Sequence, residues 1–169
     1  MSGYILKISL ERTHPPVWRR VVIPEHMDFQ DLHETIQALF GWTDDHLHDF
    51  LLPDRRRIVM DMNDDFYRNP EDVMEEKAFV DDYIKRYPWI RYVYDFGDDW
   101  IHRIVYEKDD PSFDLNHPKL LKYKGDNYYE DSGGVFGYGF GDGEYDDNRF
   151  PLDEEEVQEK LENIFIHSS

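Results

Sequence analysis

Residues 92–106 read YVYDFGDDWIHRIVY, and this stretch decides the fold of the chain. Apolar and aromatic residues alternate with polar ones on both sides of Gly97-Asp98, which is typical of two antiparallel strands joined by a tight turn. Glycine accepts a positive φ, so Gly97-Asp98 suits a two-residue hairpin loop. Trp100 and His102 lie two apart on the second strand and share a face. The hairpin therefore brings this pair close to the carboxylates of Asp95 and Asp98.

The composition is that of a folded, acidic protein. A chain of 169 residues with 40% hydrophobic and 16% aromatic residues can bury one core, so residues 1–169 are expected to form a single domain. The formal net charge of −19 favours solubility and argues against nucleic acid as a partner. The absence of cysteine excludes disulfides, thiolate metal sites and a cysteine nucleophile.

A local basic patch in the first part of the chain is the exception to this acidity. Its members are Arg12, Arg19, Arg20 and Arg55 to Arg57. Nucleic-acid binding would require Arg19, Arg20 and Arg55–Arg57 on one face. Ordinary solvated surface charge is the simpler interpretation.

The sequence carries no targeting or membrane signal. Its first residues do not combine a basic segment with an apolar run, and no apolar stretch approaches about 18 residues. These features predict a cytoplasmic protein with no membrane partner.

The pattern of strands and helices predicts an α+β fold with a mainly antiparallel sheet and helices packed on one face. Strands at residues 4–11, 17–23 and 46–52 precede the hairpin without regular helical crossovers. Asp28 is placed as the N-cap and Gly41 as the C′ residue of a helix with apolar residues at helical spacing. Two more helices are expected, one within residues 70–86 and one at about 153–165.

The region at about 109–150 is rich in Gly, Asp and Tyr and is expected to be a loop region. A phosphate-binding P-loop needs Gly-Lys-Ser/Thr, and a dinucleotide-binding turn needs G-x-G-x-x-G between a strand and a helix. Neither pattern is present in the sequence, so the glycines do not indicate a phosphate cradle.

Several motifs occur together in an order that resembles a known family. They are PPVWRR at 15–20, GWTDDHLH at 41–48, YDFGDDW at 94–100 and EDSGG at 130–134. This set, which covers nearly the whole chain, resembles the plasmid pRiA4b ORF-3-like family, also known as the passenger TnpR protein of an insertion element. The resemblance implies an α+β domain associated with plasmids and transposable elements, without an established activity.

Two departures limit what the resemblance implies. The name TnpR suggests a resolvase, but the chain lacks the pattern of a serine recombinase, so recombination is not inferred. Members of the family often have cysteines where residues 127–134 of this chain read NYYEDSGG. Any metal or redox role of those thiols is closed to this protein.

Histidines, carboxylates and one tryptophan supply the candidate ligand-binding residues. They are His33, His46, His48, Asp95, Asp98, Trp100, His102, Glu130 and Asp131. Imidazole and carboxylate groups suit a divalent metal such as Zn²⁺ or Mn²⁺, and the metal-ligand candidates are His33, His48, His102 and Asp95. The alternative is that the histidines are hydrogen-bonded core residues and that the aspartates cap the hairpin turn. Two histidines two apart on a strand are less specific than His-Glu-x-x-His on a helix.

Three classes of function follow from these features. The sequence has no complete catalytic motif, which favours a non-catalytic binding or accessory domain that acts through a protein partner. The second class is a metal-dependent enzyme, a hydrolase or nuclease, which needs the His and Asp residues to converge in a cleft. The third is a nucleic-acid-binding accessory protein, which the net charge disfavours.

Overall fold

The computed structural model describes residues 2–60, 69–136 and 148–164. Its helices are α1 (Phe29–Phe40) and α2 (Glu154–Glu162). Its strands are β1 (Gly3–Leu10), β2 (Val17–Pro24), β3 (His48–Leu51), β4 (Arg57–Val59), β5 (Val73–Met74), β6 (Ile90–Tyr94), β7 (Trp100–Asp110), β8 (Lys119–Lys124), β9 (Asn127–Tyr128) and β10 (Arg149–Phe150).

Eight of these strands form one sheet in the order β5-β4-β3-β6-β7-β1-β2-β8. Every neighbouring pair is antiparallel except β4 and β5. Side chains alternate between two faces, and the inner face is apolar, as Leu6 and Ile8 of β1 are fully buried. Residues of both helices share the core with this face. The expected α+β fold with a mainly antiparallel sheet is confirmed.

Helix α1 begins and ends where its sequence signals indicate. The Asp28 carboxylate accepts a hydrogen bond from the Asp31 amide at 2.8 Å, and Gly41 follows the helix in the left-handed conformation. Phe29, Leu32 and Ile36 are fully buried against the sheet. The helix therefore fixes the adjoining segment 41–47, which leads into β3.

The central hairpin differs from the predicted two-residue turn. The last strand pair is Tyr94 and Trp100, so residues 95–99 form a five-residue loop. The residues with positive φ are Asp95 and Asp99, whereas Gly97 is not in the left-handed region. The Asp95 carboxylate accepts hydrogen bonds from the Gly97 and Asp98 amides at 3.1 and 3.3 Å. Asp95, by bonding the loop's own backbone, replaces the tight glycine turn.

Two other regions differ from the sequence expectation. The helix predicted within residues 70–86 is instead strand β5 followed by two 3₁₀ turns, Glu75–Lys77 and Val80–Asp82. The loop region expected at about 109–150 contains strands β8, β9 and β10. Residues 137–147 and residue 165, on which parts of these predictions fall, lie outside the described residues.

The basic patch considered from the sequence does not form. Arg19 is fully buried, and its guanidinium donates to the carbonyls of Leu39, Trp18 and Lys124 and to Asn127 Oδ1. Strand β2 is separated from β4, which holds Arg57, by four strands of the sheet. At about 4.8 Å per strand the two arginine groups lie more than about 20 Å apart.

The described parts of the chain contain no helix with the length and apolar character needed to cross a membrane.

Candidate functional site

The candidate site lies beside the central hairpin, where three segments meet. These are the turn before β3, the hairpin loop at 95–99 and the segment that follows β9. The Asp95 amide donates to the Leu47 carbonyl at 2.8 Å, and the Gly133 amide donates to Asp98 Oδ2 at 3.1 Å. The hairpin loop is therefore bonded to both of the other segments.

Gly134 allows the segment that follows β9 to approach the hairpin loop closely. It has a φ of 79°, and a Cβ atom at this position would lie 2.6 Å from the Asp98 carbonyl oxygen. A side chain would both strain the backbone and collide with backbone, so the segment that carries Glu130 and Asp131 needs glycine here.

One histidine and four carboxylates make up what we call the carboxylate–histidine cluster: His46, Asp95, Asp98, Glu130 and Asp131. The Nε2 atom of His46 lies 2.9 Å from Asp131 Oδ1, 3.6 Å from Asp95 Oδ2 and 4.0 Å from Glu130 Oε2. Oxygen atoms of Asp95, Asp98 and Asp131 also lie within 4.8 Å of one another. The cluster thus unites five of the residues proposed from the sequence.

The His46 ring does not use these carboxylates as hydrogen-bond acceptors. Its Nε2 atom is shielded from solvent, and no described group lies in hydrogen-bonding geometry to it, despite the 2.9 Å distance to Asp131 Oδ1. Short distances with poor angles are not hydrogen bonds. The close carboxylates repel one another, and His46 does not offset this repulsion by donating a hydrogen bond to any of them.

Glu130 is fixed by groups that the sequence analysis did not single out. Its Oε1 atom accepts from the Thr43 amide at 2.5 Å and from the Tyr94 hydroxyl at 3.2 Å. The Tyr94 oxygen in turn accepts from the Asp45 amide at 2.9 Å. Burial and the nearby Glu130 charge raise the pKa of Tyr94 well above its ordinary value, so the phenol stays a donor.

His33 and His48 lie apart from this cluster, in a buried stack. Their ring centroids are 3.5 Å apart and their planes differ by 4°. His33 bonds to Tyr92 and Asp44 at 2.6 and 2.9 Å, and His48 Nε2 lies 2.7 Å from Glu75 Oε2. Metal ions bind imidazole nitrogen in the plane of the ring, and parallel planes 3.5 Å apart do not meet at an ion. Although His33, Asp44 and His48 lie close enough for a shared ion, the stack is not arranged to chelate one.

The His33 ring belongs to a closed circuit of hydrogen bonds. Gln37 Nε2 donates to the Tyr92 oxygen at 3.0 Å, and the Asp44 amide donates to Gln37 Oε1 at 2.8 Å. Burial, and then His48, lower the pKa of His33 to about 3, so its ring is neutral. A neutral ring that donates from Nε2 to Asp44 accepts at Nδ1 from the Tyr92 hydroxyl. This circuit ties α1 and β6 to the turn that carries His46.

Trp100 and His102 are core residues in the described structure. Both are fully buried, and His102 Nδ1 bonds to the Tyr92 carbonyl at 3.1 Å while its ring lies against Phe40 and Trp42. Burial lowers the pKa of His102 to about 3. No carboxylate lies beside its unpaired Nε2 among the described residues. The sequence candidates therefore divide into the five residues of the carboxylate–histidine cluster and four residues of the interior, His33, His48, Trp100 and His102.

The sequence analysis missed several supporting residues. Glu75 was placed on a predicted helix, and nothing in the sequence connects it with His48. Tyr92 and Tyr94 were read only as strand residues, although their alternation with Val93 already put both on the buried face. A buried tyrosine hydroxyl needs a polar partner, and this requirement is the one signal that pointed towards the site.

The chain has relatives among known proteins. It is 36% identical over 136 residues to the uncharacterized protein y4hQ of Sinorhizobium fredii, an alignment that covers 79% of this chain and 68% of the relative. A crystal structure of a protein of unknown function, MM3350 of Methanosarcina mazei, is similar with a TM-score of 0.76 and 31% identity. That match covers 92% of this chain and 96% of the solved one.

The family comparison agrees with the motifs. The family model described as plasmid pRiA4b ORF-3-like protein matches residues 2–163, which include all five residues of the carboxylate–histidine cluster. The match extends over both helices and every strand. The chain therefore belongs to the plasmid pRiA4b ORF-3-like family.

Proposed function

We propose that this chain is a binding domain that holds one divalent metal ion at the carboxylate–histidine cluster. The observation that carries the proposal is the position of His46 Nε2, which lies 2.9 to 4.0 Å from carboxylate oxygens of three residues without a hydrogen bond to any of them. Two ligands in neighbouring positions, each about 2.1 Å from one ion, are about 3 Å apart. The spacing is therefore that of a shared coordination sphere.

The donor set favours Mn²⁺ over Zn²⁺. One imidazole with several carboxylates is rich in hard oxygen ligands, which suit Mn²⁺, whereas zinc prefers more nitrogen or sulfur. The cation would also offset the repulsion between Asp95, Asp98, Glu130 and Asp131, which lie close together. The Glu130 carboxylate accepts three hydrogen bonds through Oε1, from the amide and hydroxyl of Thr43 and from Tyr94. Its other oxygen, Oε2, faces His46.

Binding of the metal alone tests the proposal. Untagged protein treated with EDTA and dialysed is titrated with MnCl₂ and with ZnCl₂ by calorimetry. We expect one site, and at least a tenfold loss of affinity in His46→Ala and in Asp95→Ala. His14→Ala, which removes an exposed histidine elsewhere, is the matched control. No saturable binding by the wild type, or equal binding by His46→Ala, would exclude this site.

A metal-dependent hydrolase is the second candidate function. It is favoured by the position of the cluster at the protein surface, since the Asp131 side chain is 68% exposed. Leu47 and Phe96, next in sequence to His46 and Asp95, are also exposed and offer apolar contacts to an organic substrate. The test is hydrolysis of nitrophenyl esters and phosphates by Mn²⁺-loaded protein, with loss of turnover in His46→Ala. Equal turnover by His46→Ala would exclude the carboxylate–histidine cluster as the source of the activity.

An accessory role on a plasmid or other mobile element is the wider setting of this proposal. It is supported by the family description, which is that of a plasmid reading frame. In such a role the domain acts through a protein partner, and metal would hold the cluster in its binding shape. Affinity capture with wild type and with Asp95→Ala tests this setting. If the partner binds a surface that the metal ion holds in shape, the variant will no longer capture the protein that the wild type captures.

A further inference from the structure

The outer face of the sheet, opposite both described helices, has a charge that differs from the rest of the chain. Side chains of β1 alternate so that Leu6 and Ile8 are buried inside, while Lys7 and Ser9 point outwards. Strand register then decides which residues lie beside Lys7. On β2 the outer residues are Trp18 and Arg20, because Val17, Arg19 and Val21 are buried within.

The neighbouring strands continue this basic surface. Arg20 lies opposite Lys7 on one side and opposite Lys122 on the other, and Trp18 lies opposite Lys124. Val22, also an outer residue, lies opposite Lys119. We call this surface the lysine face; it consists of Lys7, Trp18, Arg20, Lys119, Lys122 and Lys124.

Most of the charge on this face is not neutralised locally. Arg20 pairs with Glu107 at 2.6 Å. Lys119, Lys122 and Lys124 are exposed, and none of them has an ion-pair partner in the described ranges 2–60, 69–136 and 148–164. A protein with a net charge of −19 thus concentrates unpaired positive charge on one strand edge.

Aromatic rings lie among these cations. The Lys7 ammonium is 4.9 Å and the Arg20 guanidinium 5.0 Å from the centre of the Trp18 ring. Farther along the sheet, the Arg91 and Arg103 guanidinium groups lie 5.3 and 5.4 Å from the Trp89 ring. Both tryptophans are partly exposed. Cations beside a partly exposed tryptophan ring therefore occur within the lysine face and again, outside it, near β6 and β7.

We propose that the lysine face binds single-stranded nucleic acid. Lysine ammonium groups attract the phosphates, and a partly exposed tryptophan flanked by cations offers a stacking surface for an unpaired base. The aromatic component distinguishes this occupant from an acidic protein, which would use the charge alone. A flexible single strand can also stay on the face, whereas a rigid duplex would extend over the acidic remainder of the molecule. The net charge of the whole chain argued against nucleic acid, but it does not show that positive charge is concentrated on the lysine face.

The test is fluorescence anisotropy of a labelled 20-nucleotide single strand, as DNA and as RNA, in a low-salt buffer with EDTA. The EDTA separates this proposal from the metal site, so either one can fail alone. We expect saturable binding that weakens with added salt, and at least a tenfold weaker affinity in Lys119→Glu/Lys122→Glu/Lys124→Glu. The slope of log affinity against log salt is expected to fall by about 2 for the three lost lysines.

The matched control is Lys77→Glu/Arg86→Glu/Lys160→Glu, which changes the net charge equally at two exposed positions and one partly exposed position off this face. We expect it to change affinity less than twofold, and Trp18→Leu to weaken binding without altering the salt slope. Equal losses in the two triple variants would overturn the proposal. So would displacement of the strand by poly-glutamate at equal charge, which would indicate an acidic polypeptide instead. An absence of binding in the wild type, with self-association of the lysine variant, would mean that the lysines only protect the edge strand.

Discussion

The imidazole of His33 lies face to face with that of His48, with ring centroids 3.5 Å apart and planes that differ by 4°. His33 belongs to α1 and His48 to β3, so the stack joins the helix to the sheet. Each ring has a carboxylate partner, Asp44 for His33 and Glu75 for His48. Two of the three histidines that the sequence offered as metal ligands therefore lie in the packing beneath the turn that carries His46.

We expect His48→Ala to destabilise the fold and to leave metal binding intact. The substitution removes a buried ring and leaves the Glu75 carboxylate buried without its partner, so the cost is about 3 to 5 kcal/mol. The free energy of unfolding is measured in urea, and Mn²⁺ affinity by calorimetry at a temperature where the variant is folded. Loss of Mn²⁺ binding in a folded His48→Ala variant would contradict this expectation and would identify His48 as a metal ligand.

The buried rings of His33 and His102 are each expected to lower the stability of the fold as the pH falls from 6.5 to 5, whereas Asp31, whose pKa burial raises to about 7, acts in the opposite direction. Burial lowers the pKa of His33 and of His102 to about 3, while an unfolded histidine titrates at about 6.5. Between these values each of the two histidines binds a proton in the unfolded chain but not in the folded one, so these two residues favour unfolding increasingly towards acid. The expected loss is about 2 kcal/mol for each of the two histidines between pH 6.5 and 5.

His102→Asn isolates one of these contributions. The asparagine amide keeps a donor for the Tyr92 carbonyl but does not titrate. Urea unfolding at pH 6.5 and pH 5 should give a stability difference about 2 kcal/mol smaller than in the wild type. His14→Asn, at an exposed position, should retain the wild-type difference. Equal pH dependence in wild type and His102→Asn would show that this histidine titrates normally in the fold.

We expect Arg19→Met to be far more damaging than Arg20→Met. Arg19 is fully buried and donates to three carbonyls and to Asn127, and burial lowers its pKa only to about 10, so it is charged at neutral pH. Its loss leaves these acceptors buried and unsatisfied, at a cost of about 3 to 5 kcal/mol. Arg20 forms a partly exposed pair with Glu107, which is worth about 1 kcal/mol or less. Similar urea midpoints for the two variants would contradict this assignment.

Local signals explain why much of the fold was predictable. The N-cap at Asp28 and the C′ glycine at Gly41 act within a few residues, and helix α1 has the expected ends. The hairpin strands also follow from local alternation. The turn between them does not, because Asp95 takes the positive φ expected of Gly97 and binds the loop amides itself. An aspartate can replace a glycine in this way, and the sequence does not say which residue will.

The residues of the candidate site could not be separated from core residues by local sequence signals. The sequence put His46, Asp95, Glu130 and Asp131 among the candidates, but it also included His33, His48 and His102. Residue type alone does not separate them, since the difference lies in depth beneath the helix and in partners distant in sequence, such as Glu75 for His48. Of the metal-ligand candidates His33, His48, His102 and Asp95, only Asp95 belongs to the cluster at which we propose an ion.

Gly134→Ala is expected to weaken metal binding while the rest of the protein stays folded. An added Cβ would lie 2.6 Å from the Asp98 carbonyl oxygen at a φ of 79°, so the segment must move away from the hairpin loop. That movement carries Glu130 and Asp131 away from His46. Calorimetry with Mn²⁺ should record at least a tenfold loss of affinity, with a change in unfolding free energy of about 1 to 3 kcal/mol.

Gly97→Ala is the control for this substitution. Gly97 lies in the hairpin loop itself, but its φ is not in the left-handed region, and an added Cβ would make only an ordinary 3.4 Å contact with Asp95 Oδ1. Alanine at an unstrained loop position changes stability by less than about 1 kcal/mol, so the loop should keep its position. We therefore expect a metal affinity within about twofold of that of the wild type. If the two variants bind Mn²⁺ equally well, the segment that follows β9 does not supply ligands, and the proposed site would be reduced to His46 and the hairpin aspartates.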